Sequence, residues 1–213
     1  MNVKIVYADI FKTAWKGFKS QCWLLMGLLI GFTIIYSLLL LFAIPAKEET
    51  LSISSMIVAV ITIILASLFF MGYFKNCLQT IDGEEPQFLA YGQVLRKLLI
   101  FIPASLIFFV TIAIGCAFLL FPGIYLYLRF QFFFASMMDE DSGMIESFKR
   151  SWNITKGHTL QLFVLFLFQL LIIIIGLVAL GIGIFAAIPF VTLMYGYAFR
   201  KLTAPVIADA ISF

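Results

Sequence analysis

The sequence predicts an all-α, polytopic membrane protein: six transmembrane helices as three hairpins, each preceded by an amphipathic cytoplasmic-side helix. Three observations carry this. Apolar residues make up 63% of the 213-residue chain and charged residues 12%, against about half and about a quarter in soluble domains. The apolar residues form long runs, such as 56–71 and 160–180, and runs of about 18 residues or more read as bilayer spans. Basic residues fall almost wholly on one side of those spans.

The spans read as 22–44, 53–75, 97–119, 122–138, 160–180 and 182–200. The first follows a polar stretch of some twenty residues with no small-residue cleavage site, so it is expected to be a span and not a signal peptide. With an even number of spans, Lys4, Lys12, Lys16, Lys19, Lys75, Arg96, Lys97, Lys149, Arg150, Lys156, Arg200 and Lys201 share one side. Lys47 is alone on the other, and Arg129 lies within the fourth span. Positive residues stay inside, so both termini are expected to be cytoplasmic. The outer turns are short. Pro45 to Thr50 joins the first pair, and Pro122-Gly123 and Gly181-Ile182-Gly183 turn the other two.

The inner connections look related. Phe11-Lys-Thr-Ala-Trp-Lys-Gly-Phe-Lys19 and Phe148-Lys-Arg-Ser-Trp-Asn-Ile-Thr-Lys156 match at Phe, Lys, Trp and the last Lys. Residues 88–97 form a weaker copy. The chain therefore reads as one membrane domain, 1–213, with approximate repeats over 3–75, 86–138 and 143–200. Chance likeness between short basic-aromatic segments is the alternative. In the first copy, Tyr7, Ile10, Phe11, Ala14, Trp15 and Phe18 fall on one arc at 100° per residue, with Asp9, Lys12, Lys16 and Lys19 opposite. In the last, Ile145, Phe148 and Trp152 share a face flanked by Lys149 and Arg150. Asp141 or Ser142 is expected to cap its start and Gly157 to end it. The interface residues are thus Lys12, Trp15, Lys16, Phe18, Lys19, Lys149, Arg150, Trp152 and Lys156. Either these helices meet anionic lipid, or they only pack on the ends of the spans.

Chemistry is sparse. Cys22, Cys77 and Cys116 have no ligand spacing, His158 is the only histidine, and no catalytic or nucleotide motif occurs. No catalytic residue, metal or cofactor is expected, and no nucleic-acid partner. Arg129 stands out, because a charge within a span costs roughly 2.5 kcal/mol or more. Tyr125 lies one turn away, and Gln161 and Gln169 could offer carbonyls. Together they form the one possible anion site. Snorkelling or a packing role for Arg129 is the other reading.

Residues 121–158 hold Pro122-Gly123, Arg129, Asp139-Glu140-Asp141, Ser151-Trp152 and Lys156-Gly157. This stretch resembles the bacterial membrane-domain family named after glycerophosphoryl diester phosphodiesterases and its uncharacterised six-span relatives. Phe148 departs from the common Ala-Leu start. The resemblance implies a bacterial inner-membrane protein. It implies no phosphodiesterase activity, since that chemistry belongs to a separate soluble barrel. The leading expectation is a non-enzymatic structural or regulatory module whose partners are anionic lipids at the cytoplasmic face. The alternative is a transporter or flippase-like carrier for an anionic or amphiphilic solute. The sequence identifies no protein partner.

Overall fold

The computed structural model describes residues 6–43, 53–118, 120–139, 142–179 and 181–211. Lys4, the turn with Lys47 and Glu48-Glu49, and Glu140 and Asp141 of the acidic cluster lie outside the described residues. Among the described residues the regular structure is helical. In chain order the helices are α1 (Tyr7–Ala43), α2 (Ile53–Ile81), α3 (Leu89–Leu95), α4 (Leu98–Phe118), α5 (Leu120–Phe130), α6 (Phe133–Asp139), α7 (Met144–Ile154), α8 (Thr159–Val178) and α9 (Ile184–Ile211).

Four helices are long and apolar enough to cross a membrane by length and composition: α1 over Tyr7–Leu41, α2 over Ser55–Ile81, α4 and α8. They are apolar on outward as well as inward faces. On α4, Phe101, Ala104 and Phe108 are buried while Leu106, Phe109 and Ile114 point outward. A water-soluble protein does not expose apolar surface on this scale. The chain is a multi-pass membrane protein of the all-α class.

The core lies toward one end, where the C-terminal half of α2 meets α1, α3, α4, α6 and α9. Met71, Phe74, Cys77 and Leu78 of α2 are buried there with Phe132, Phe133, Leu193 and Phe199. This end also carries Asp82, Arg200 and Lys201 and is called the basic end below. At the opposite, hairpin end, backbones touch. A Cβ on Gly183 would fall 2.6 Å from the Gly176 carbonyl oxygen, and one on Gly115 would fall 3.0 Å from Gly123 Cα. Gly181 takes φ +74° in the α8–α9 turn, a conformation only glycine adopts at little cost.

Three local features differ from the sequence reading. First, the N-terminal amphipathic helix and the first span run on as one helix, α1, kinked at Gln21 (φ −128°, ψ 16°). Its first part is docked on the bundle. Ile10 and Ala14 are fully buried, Phe11, Trp15 and Phe18 surround Phe190 of α9, and Asp9 pairs with Lys201 at 3.5 Å.

Second, the stretch expected as a fourth span, 122–138, is not one helix. α5 stops at Phe130 and the chain resumes as α6 at Phe133. The cause lies in α7. The Ser151 hydroxyl donates to the Arg129 carbonyl (2.9 Å) and accepts from the Phe132 N–H (3.2 Å). Thr155 donates to the same carbonyl at 3.2 Å. Backbone groups that would otherwise pair along the helix are satisfied by side chains instead.

Third, α7 buries a face of small residues beside the apolar arc read from the sequence, whose Phe148 packs on Phe133. Ser147, Ser151 and Ile154 are buried, while Ile145 is 66% exposed. Small hydroxyl residues let α7 approach the α5–α6 backbone closely. Ser142 does not cap α7. It donates to the Ser136 carbonyl and shares a bond with Ser147. Gly157 follows the helix at φ +84°, in the left-handed geometry favoured just past a helix C-terminus.

Candidate functional site

Two places gather polar groups. The first surrounds Arg129, in the last turn of α5, where a cation complements the carbonyl end of the helix dipole. The residue is 4% exposed. Its guanidinium lies over the Trp152 ring, 3.9 Å from the centroid, and its Nε has no hydrogen-bond partner. Tyr125 and Phe130 also meet the Trp152 ring. The Ser-Trp pair of α7 thus acts as a unit: Ser151 holds the Arg129 backbone and Trp152 covers its side chain.

The two glutamines do not join this group by any hydrogen bond. Gln161 pairs through Oε1 with His158 Nδ1 at 3.0 Å, and its backbone carbonyl accepts from Tyr7. Gln169 is buried with its Nε2 unpaired. A stacked planar cation is not replaceable by a point charge. Arg129→Lys is therefore expected to lose about 1 kcal/mol and Arg129→Ala about 2 kcal/mol or more, in line with a desolvated cation–π contact plus stem packing. Reversible denaturation in mixed micelles would read both. A silent Lys variant would mean that the stacking contributes nothing.

The interface residues divide by helix. Lys12, Lys16 and Lys19 are exposed on α1 opposite its docked face, and Lys19 Nζ lies 5.2 Å from the Trp15 ring centroid. Phe18 is half-buried against the core, and Trp15 is partly exposed. On and just after α7, Lys149 and Lys156 are exposed and Arg150 is half-buried.

The second place is a cleft of about 710 Å³ at the basic end. Lys75 comes from α2, Arg96 and Lys97 from the α3–α4 junction, and Asp139 from the end of α6. Lys75 Nζ donates to Gln93 Oε1 at 2.5 Å. Lys97 Nζ donates to the Met137 carbonyl at 2.7 Å, at the C-terminal end of α6. Arg96 is exposed. Beside the cleft, Arg200 grips Asp82 through Nε and Nη2 and Asp139 through Nη1 (3.0, 2.5 and 2.5 Å), tying α9 to the ends of α2 and α6. Tyr91 stands on the α3 side of α2, its ring against Gly72. Burial, with Cys77 acting in the same direction, pushes its hydroxyl up to about 12, so it stays neutral. Sequence reasoning counted Lys75, Arg96 and Lys97 as topology charges and missed their convergence. Their shared sign at the two ends of one inner connection was the available signal.

No curated protein and no solved structure matches the chain. One family model does, over residues 58–212, which takes in α3 to α9 and most of α2. The match therefore covers both polar groupings, the Arg129–Trp152 stack and the basic cleft, and leaves out α1. It attaches no activity to either, and by it the chain belongs to the family described as a domain of unknown function (DUF7847).

Proposed function

We propose that the protein is a non-enzymatic, six-span module of the bacterial inner membrane, structural or regulatory in role. Its basic end rests on the anionic cytoplasmic leaflet, with both termini on that side. The observation that carries this is the clustering of cations from separate elements at one end of an otherwise apolar bundle. Lys75, Arg96 and Lys97 line one cleft, Arg200 adjoins it, and the lysines of the docked α1 face away from the core. Each Lys or Arg near an anionic surface is worth about 1 kcal/mol of attraction. The positive-inside bias supports the orientation. The likeness of residues 121–158 to the phosphodiesterase-associated membrane domains supports the inner-membrane setting.

Arg129 lends the carrier reading little, because Trp152 covers its guanidinium and α7 hydroxyls take its carbonyl. The proposal is tested by the lipids that stay with the protein through extraction into a neutral detergent. Anionic phospholipid is expected to be enriched several-fold over its share of the source membrane. Retained lipid with the bulk composition would contradict the proposal.

A further inference from the structure

The basic cleft does not end at its charged wall. Phe88 lines it and also lines an apolar groove of about 630 Å³ on the other side of α3. We infer that cleft and groove form one slot for a single anionic phospholipid, with its phosphate beside Lys75, Arg96 and Lys97 and one acyl chain between α1 and α2. The inference rests on the lipid-facing role proposed above and gives it a site.

Charge selects the headgroup. Among the described residues the cleft wall carries three cations and one carboxylate, Asp139. Arg200 holds Asp139 at 2.5 Å and also holds Asp82, so among the described lining residues cations outnumber carboxylates. The bonds from Lys75 to Gln93 and from Lys97 to the Met137 carbonyl fix both ammonium groups at the wall. Arg96 is exposed, and its planar fork suits phosphate oxygens.

Shape selects the chain. The groove is lined by Trp23, Gly27, Gly31 and Ile35 of α1 with Leu65 and Phe69 of α2. A Cβ placed on Gly27 or Gly31 would meet no atom within 4 Å, so these two glycines leave the floor open. Twelve residues separate Trp23 from Ile35, which is about 18 Å of helix at 1.5 Å per residue. One leaflet of a hydrocarbon core about 30 Å thick is about 15 Å deep, so the groove matches one acyl chain in one leaflet. Trp23 is 86% exposed and Phe88 82% exposed. Phe88 lines both cleft and groove and Trp23 lines the groove, as interfacial aromatics would at the headgroup level.

The test is native mass spectrometry of the full chain in neutral detergent. It is titrated with phosphatidylglycerol, with phosphatidylcholine of the same chains, and with glycerol 3-phosphate. Wild type is expected to bind one phosphatidylglycerol at least about tenfold more tightly than either comparator, a difference of about 1.4 kcal/mol or more. Arg96→Glu and Gly31→Leu are each expected to weaken that binding about tenfold. Asn153→Glu, at an exposed position of α7, is expected to leave it within about twofold, since long-range surface charge is screened.

Wild-type preference with both slot variants unchanged would overturn the site while leaving the lipid-facing role standing. Glycerol 3-phosphate binding as tightly as the lipid would overturn the acyl-chain assignment. A dimer that Gly31→Leu dissolves, with lipid binding unaltered, would make the groove a contact between copies and also overturn the inference. No preference for phosphatidylglycerol in wild type would remove both the slot and the role.

Discussion

Gly183→Leu is expected to remove most of the folded protein, the largest single effect in the chain. Its Cβ would stand 2.6 Å from the Gly176 carbonyl oxygen and 3.1 Å from Gly176 Cα. These are backbone atoms of α8, so relief requires α8 and α9 to separate. Overpacking a filled core costs about 1–3 kcal/mol, and more where nothing flexible can yield. We expect about 3 kcal/mol or more here by that reasoning. Gly31→Leu is the matched control. Its Cβ meets nothing within 4 Å, and leucine is the better helix former. Monodisperse yield by size-exclusion chromatography should collapse for the first and match wild type for the second. Equal yields would mean that the hairpin backbones do not approach this closely.

Ser151→Ala is expected to have the second-largest effect. Ser151 is fully buried, and its one oxygen serves two backbone groups at the α5–α6 break. Thr155 can keep the Arg129 carbonyl paired, but the Phe132 N–H has no second acceptor in the described bonding. Leaving a buried group unsatisfied costs about 1–3 kcal/mol. A loss of about 2 kcal/mol is therefore expected in denaturation, with hydrogen exchange at Phe132 accelerated. Unchanged exchange at Phe132 would show that the break is held by something other than α7.

The long apolar helices were legible because local composition decides them. The spans read at 53–75, 97–119 and 160–180 correspond to α2, α4 and α8 within a few residues at most ends. α2 runs on to Ile81, because its last turns are buried among neighbours and polar residues such as Asn76 and Thr80 find places there. The α5–α6 break was not legible. Residues 124–138 contain neither Pro nor Gly, and the groups that interrupt the helix sit 19 to 26 positions later. The Ser151-Trp152 motif was visible, but only the fold shows that it serves Arg129.

The buried hydroxyl face of α7 was not legible for a related reason. Hydropathy favours Ile145, Phe148 and Trp152, whereas close approach to backbone favours Ser147 and Ser151. Gln161 went to His158, three residues away, and not to Arg129, because a local partner needs no tertiary register. Lys75, Arg96 and Lys97 were each visible as charges. Their meeting depends on α3 folding back beside α2, which no local signal encodes.

That the basic end is an anionic-lipid face is tested most directly by stability in nanodiscs of defined composition. The apparent melting temperature is measured in phosphatidylcholine alone and in a mixture with phosphatidylglycerol, each at low and high salt. Anything that binds the folded state stabilises it, and surface attraction is screened within about 10 Å at 0.1 M salt. The expected result is a higher melting temperature with phosphatidylglycerol at low salt, and a difference that shrinks as salt rises. Identical melting temperatures in the two lipids at low salt would contradict the account.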